Sequence, residues 1–222
     1  MCLTPWISGA TFIIEMVIAG WLFSRAKSTK SWLSFLIVIF LALYQASEYG
    51  LCLTNNQWWN LIGYSSVTWL PALGFDLVSR QTKSKCKTWP WYCIASLFTV
   101  GMIAAPFLLP IATCDPLFTS YFKYPAGYPL YTVYYMGTIA LSIWLLSAHW
   151  SKARSKTDRR DDAVLLVGFL SFVIPAYWIK FTVPFLKDSF PSVFCFFAVF
   201  FAASLVVLGR LRGKGNKKGV FV

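Results

Sequence analysis

Charge is scarce in this sequence. Of its 222 residues only 13% are Asp, Glu, Lys or Arg, against about 25% in a soluble domain. Acids are scarcer still, with eight Asp and Glu against twenty Lys and Arg. His149 is the one histidine, which excludes zinc held by several imidazoles. No His-Glu-x-x-His or Ser-His-Asp pattern is present. The six cysteines show no Cys-x-x-Cys spacing. No metal and no cofactor is assigned on these grounds. No kinase, nuclease or nucleotide-binding segment is recognisable within these residues.

What is abundant is apolar residues, at 58%. That content would overfill the core of one soluble domain, so lipid is the expected solvent. Seven runs approach the ~20 residues needed to cross ~30 Å of hydrocarbon. They are Pro5–Ser24, Trp32–Leu53, Trp58–Val78, Trp89–Leu109, Leu130–Ala148, Ala163–Val183 and Phe190–Leu208. None alternates in polarity as barrel strands do, so the predicted fold class is all-α: a polytopic bundle of seven transmembrane helices over residues 1–209, with a basic tail over 210–222. The first run has no basic residue before it and is too long for a cleaved signal peptide, so it reads as a retained helix.

The cations set the orientation. Arg25, Lys27 and Lys30 follow the first run. Arg80, Lys83, Lys85 and Lys87 follow the third. Lys152, Arg154, Lys156, Arg159 and Arg160 follow the fifth, and Arg210, Arg212, Lys214, Lys217 and Lys218 follow the seventh. Only Lys123 and Lys187 fall in the alternate connections, and Lys180 lies within a span. This bias predicts an N-terminus outside and a C-terminus in the cytoplasm of a cell membrane, as in a bacterial inner membrane. The net charge of +12 is thereby used up in orientation, and no nucleic-acid partner is expected. The tail reads as an orientation signal near anionic lipid or as a docking segment. Its Gly213–Gly219 stretch is expected to be mobile. Trp58, Trp59, Trp89 and Trp91 read as interface anchors.

Polar groups inside the runs carry the functional signal. Thr4, Ser8, Thr11 and Glu15 share one stripe of the first helix. Gln45, Glu48, Tyr49 and Cys52 share one face of the second. Gln57, Asn60, Tyr64 and Thr68 mark the third; Tyr131, Tyr134 and Tyr135 the fifth; Tyr177 and Lys180 the sixth; Ser192 and Cys195 the seventh. At 1.5 Å per residue, Glu48 lies ~8 Å and Lys180 ~5 Å below the outer ends of their spans. Asn60, Tyr134 and Cys195 fall in the same outer third. The expectation is a cavity open to the outside and lined by Gln45, Glu48, Asn60, Tyr134, Lys180 and Cys195, with Glu48 and Lys180 facing each other. The alternative is a set of hydrogen bonds that only hold the bundle together.

Glu15 lies near the midplane and is either a neutral, hydrogen-bonded carboxyl or a proton-coupling residue. Asp76 pairs locally with Arg80. His149 is expected to cap a helix C-terminus. Cys2, Cys52 and Cys114 should lie outside, where two of them can form a disulfide. Cys86 is expected to be a cytoplasmic thiol, and Cys93 and Cys195 apolar fillers. The last run has no lysine for a retinal Schiff base, and seven-helix hydrolases of the ceramidase kind need more histidines than this chain has.

The opening Met1-Cys2, the Gln45-x-x-Glu48 pair, Trp69-Leu70-Pro71, Ser147-Ala148-His149 and Ser192-Val193-Phe194-Cys195-Phe196-Phe197-Ala198 together resemble a family of small bacterial seven-helix integral membrane proteins of uncharacterised activity. That family opens Met-Cys-Phe-Ser, from which this chain departs at Leu3 and Thr4. The resemblance covers most of the chain and implies no activity. It points to Cys2, Gln45, Glu48 and Cys195 as residues of interest. The Trp-Leu-Pro segment and the topology also bear a weaker likeness to the seven-helix sensor region that precedes some bacterial histidine kinases.

The function read from the sequence is binding of an unknown small molecule in an outward-facing polar cavity, of a receptor or transporter kind. Two alternatives stand beside it. One is an intramembrane enzyme using the thiol of Cys2 or Cys195. The other is a structural subunit of a membrane complex, with a membrane-protein partner or a second copy of the chain.

Overall fold

The computed structural model describes residues 4–26, 28–115, 118–122, 127–183 and 188–217, with Thr4, Leu108 and residues 212–217 described by their backbone alone. Cys2 lies outside the described residues. Seven α-helices carry the described chain: α1 (Thr4–Phe23), α2 (Thr29–Thr54), α3 (Trp58–Gln81), α4 (Trp89–Ala104), α5 (Tyr128–Lys152), α6 (Lys156–Thr182) and α7 (Phe190–Lys217). All but α4 are long and apolar enough to cross a membrane, which is consistent with a multi-pass membrane protein. The 16 residues of α4 reach about 24 Å at 1.5 Å per residue, short of a ~30 Å core.

Local chemistry sets the ends. Ser28 caps α2 by accepting a hydrogen bond from the Ser31 N–H at 3.3 Å. Asn55 ends α2 in the left-handed region at φ 50°, with its N–H on the Leu51 carbonyl. Ser155 caps α6 from its hydroxyl, and Asp158 adds negative charge to the first turn. The fourth apolar run extends to Leu109, yet α4 stops at Ala104. Pro106 disfavours helical backbone at Ala105, and a 3-10 turn over Pro106–Leu108 follows. At the other extreme, α7 runs on through Lys217, so Gly213 to Lys217 of the expected mobile tail is helical.

The helices α1, α2, α3, α5, α6 and α7 form a ring in that order, with α1 and α2 both touching α7. Helix α4 packs outside the ring on α3, and only Ala95 and Met102 of it are buried. The outer face of the ring is apolar: Trp6, Val17, Val133, Trp144, Val167, Trp178 and Phe181 are exposed. An exposed apolar girdle of this extent suits hydrocarbon better than water.

One element was not foreseen. The α4–α5 connection holds an antiparallel hairpin of β1 (Ile111–Cys114) and β2 (Thr119–Phe122), with Ala112 opposite Tyr121 and Cys114 opposite Thr119. It is fastened to helix ends on several sides. A disulfide joins Cys114 to Cys52 at the end of α2, with a Cα separation of 5.2 Å. The Gln57 side chain extends the ladder, donating to the Ala112 carbonyl at 2.8 Å and accepting from its N–H. Asn60 donates to the Pro110 carbonyl at 2.7 Å. On the far side the Tyr121 N–H bonds the Asp188 carbonyl, and Ser120 meets both Asp115 and Ser189. The hairpin thus lies across one end of the ring.

Candidate functional site

The polar residues of the spans do not gather round one open cavity. They separate into a hydroxyl shell around Glu48, an aromatic pocket beside it, and a network at the opposite end of the bundle.

Glu48 is the centre of the first group. It is buried between α1, α2, α7 and the hairpin. Ser8 of α1 donates to Oε2 at 3.2 Å, and Tyr44, one turn earlier on α2, donates to Oε1 at 2.8 Å. Tyr121 of β2 reaches Oε1 at 3.5 Å and lies 2.8 Å from the Tyr44 hydroxyl. Ser192 of α7 is a further hydrogen-bonding partner. Four hydroxyls from four elements therefore surround one carboxyl group. The pairing of Tyr44 with Glu48 was available from the i, i+4 spacing on α2, but the sequence reading weighed ionisable partners and passed over the phenol. Tyr121 had no signal, because the hairpin itself was unforeseen.

Glu15 lies close enough to Glu48 and to Cys195 for direct electrostatic interaction. It is fully buried, and neither of its carboxyl oxygens meets a hydrogen-bond donor among the described residues. The hydrogen-bonded carboxyl expected at this position is thus not present. Gln45 is buried too, and its Nε2 also meets no acceptor.

The expected Glu48–Lys180 ion pair does not form. The ion pairs among the described residues are Asp76–Arg80, His149–Asp162 and Arg160–Asp161. The Lys180 amine instead sits 4.4 Å from the ring centre of Phe190 and 5.9 Å from that of Tyr177. Similar depth did not bring the two residues together, because the Lys180 amine packs on the rings of Tyr177 and Phe190.

Lys180 and Cys195 do share a pocket. A space of about 100 Å³ opens between α2, α3, α5, α6 and α7. Its wall is mostly aromatic, with Tyr44, Tyr64, Tyr131, Tyr135 and Phe194 among the lining residues. Lys180 is the one basic residue on that wall. Of the six side chains expected to line one cavity, Gln45, Glu48, Asn60 and Tyr134 are not on this surface. Asn60 is spent on the hairpin, and Tyr134 donates to the Thr68 carbonyl at 2.8 Å. Glu48 lies directly behind the pocket wall, through Tyr44. Cys195 borders the same pocket as Tyr44. The chain's one imidazole is far from that thiol, at the other end of the bundle.

At that end, Asp162 of α6 is fully buried and meets His149 Nδ1 of α5 at 2.5 Å and the Gln81 amide of α3 at 3.2 Å. The Gln81 carbonyl oxygen in turn accepts from Lys30 of α2 at 3.1 Å. His149 therefore bridges two helices, where the sequence predicted a simple helix cap. Asp76 pairs with Arg80 at 2.8 Å and accepts from Tyr92 of α4 at 3.0 Å. Tyr49, placed on the polar face of α2 by spacing, is exposed on the outside of the ring. Among the described residues no three His, Cys, Asp or Glu side chains converge as a metal donor set.

Taken together, the arrangement can hold a small molecule against aromatic rings with a cation at one edge, and a buried acid lies one hydroxyl away. Comparison with known proteins finds no family model that matches this sequence and no curated protein similar to it.

Proposed function

We propose that the protein is a seven-span membrane protein, N-terminus outside, that binds a small amphipathic carboxylate in the aromatic pocket of its outer half, as a receptor or transporter does. The observation that carries this reading is Lys180. It borders a pocket of about 100 Å³ with a mostly aromatic and apolar wall, and no carboxylate among the described residues pairs with it. A cation over aromatic rings in a partly desolvated recess favours a ligand whose apolar body stacks on the tyrosines and whose anionic group meets the amine.

The orientation rests on the distribution of the cations. Seventeen of the twenty Lys and Arg residues follow odd-numbered spans, and the hairpin with its disulfide then lies on the outer side, where disulfides persist. Seven spans require α4 to cross with the help of its 3-10 extension and local thinning of the bilayer.

The test is a thermal-unfolding screen of the purified protein in nanodiscs against phenylacetate, indole-3-acetate and octanoate, each beside its methyl ester. The expected result is stabilisation by at least one acid and not by its ester, lost in Lys180→Met. Equal stabilisation of K180M and wild type, or no response to any of the acids, refutes the reading.

A further inference from the structure

The orphaned carboxyl of Glu15 beside the hydroxyl-bound carboxyl of Glu48 has no role in the pocket as described. We propose that Glu15 and Glu48, with the hydroxyls of Ser8 and Ser192, bound a site for one small monovalent cation, a proton or a sodium ion, between α1, α2 and α7.

The argument begins with charge. Two carboxyls interact with each other in the interior of an apolar bundle, and both are buried. No basic side chain pairs with either one among the described residues. Neighbouring carboxylates in a site that excludes water do not both stay charged without a counter-ion. Around Glu48, the hydroxyls of Ser8, Tyr44 and Ser192 are placed to donate, and Tyr121 donates to the oxygen of Tyr44. A hydroxyl shell solvates a negative charge and does not cancel it. Among the described residues no cation supplies the compensating charge, and a bound cation would.

The second strand of the argument is the unsatisfied oxygens. Both oxygens of Glu15 are buried without a donor among the described residues. An unmade hydrogen bond at such a position costs free energy unless something else occupies the acceptor. A cation fills that role. A proton would sit on one carboxyl, and a sodium ion would take oxygen ligands, which are the only donors this cluster offers a hard ion. The titratable groups facing the pair are Tyr44 of α2, Tyr121 of β2 and Cys195 of α7. None of these can carry positive charge. Lys180 of α6, across the pocket, has its amine on Phe190 and Tyr177.

The site is linked to the pocket by one side chain. Tyr44 lines the pocket and donates to Glu48 at 2.8 Å. A molecule seated on Tyr44 therefore acts on the acid behind it, and cation occupancy and ligand affinity change each other by the same factor. This coupling rests on the ligand-binding reading above, whereas the cation site does not.

The experiment uses the full chain in nanodiscs with no organic ligand, so its outcome is independent of whether a carboxylate binds the pocket. Thermal unfolding is followed in NaCl against choline chloride at equal ionic strength, and separately across pH. The pH series is run in a background with both His149→Gln and Asp162→Asn, which removes the other buried acid–base pair. A saturable rise in midpoint with Na+ that disappears in Glu15→Gln identifies sodium. A pH response that persists in that background and disappears when E15Q is added, with no effect of Na+, identifies the proton. A wild type indifferent to both, or a response that survives E15Q, overturns the proposal. Should E15Q fail to fold, Ser8→Ala with Ser192→Ala replaces it, and an unchanged cation response in that variant overturns the proposal equally.

Discussion

Replacing Tyr44 by Phe tests whether Glu48 is the electrostatic centre of the bundle. The substitution removes one oxygen and leaves the ring in place. Two bonds are lost, the 2.8 Å donation to Glu48 Oε1 and the 2.8 Å contact with the Tyr121 hydroxyl. The only other phenol on Oε1 is Tyr121 at 3.5 Å. A hydrogen bond to a charged group is worth about 1.5–3 kcal/mol, and a neutral one nearer 1 kcal/mol. The control is Tyr134→Phe, which removes a bond of the same 2.8 Å length to the neutral Thr68 carbonyl. Hydrogen bonds of that neutral kind in membrane bundles average about 0.6 kcal/mol. Y44F is therefore expected to destabilise by about 2–3 kcal/mol and Y134F by about 0.5–1 kcal/mol. Reversible unfolding by SDS in mixed micelles reads both on one scale. A Y44F loss equal to or smaller than that of Y134F refutes an ionised Glu48 held by its hydroxyl shell.

Three further outcomes are expected. An impermeant thiol reagent applied to intact cells is expected to leave Cys86 unlabelled, although its side chain is exposed, because the proposed orientation puts it on the inner side; labelling from outside reverses that topology. Reducing the Cys52–Cys114 disulfide releases a loop of 62 residues, for which chain entropy sets an upper limit of about 4 kcal/mol. Melting with and without reductant measures it, and no change means the hairpin is held by its hydrogen bonds alone. Gly168→Ala puts a Cβ 2.2 Å from Ser204 Oγ and 2.9 Å from Phe201, an overpacking that costs about 1–3 kcal/mol. The double variant G168A/S204G recovers part of that loss in the same unfolding assay.

Six long apolar helices were legible because length and apolarity speak directly to bilayer thickness. The stripe of Ser8, Thr11 and Glu15 was equally legible, and all three are buried. Helical period places residues on a face, and an apolar exterior leaves only the inside for polar groups. What the period does not supply is the rotation of one helix against another. Glu48 and Lys180 agreed in depth, but the Lys180 amine packs on the rings of Tyr177 and Phe190. The hairpin was hidden for a different reason. Its strands are four residues each, too short for an alternation to stand out, and they follow directly on an apolar run that reads as the end of a helix. Missing it meant missing Tyr121, and with it the closure of the hydroxyl shell.

That shell has a consequence for how the protein is made. Its parts leave the ribosome in the order Ser8, Tyr44 with Glu48, Tyr121 and Ser192. Helix α2 therefore enters the bilayer carrying an acid that has only α1 and its own Tyr44 for company. The hairpin and α7, which complete its surroundings, come much later in synthesis. Until then the half-made chain carries a carboxyl that lacks the hydroxyls of Tyr121 and Ser192. A chain truncated before α7 is accordingly expected to hold α2 less firmly in the bundle, and Glu48→Gln to lessen that difference.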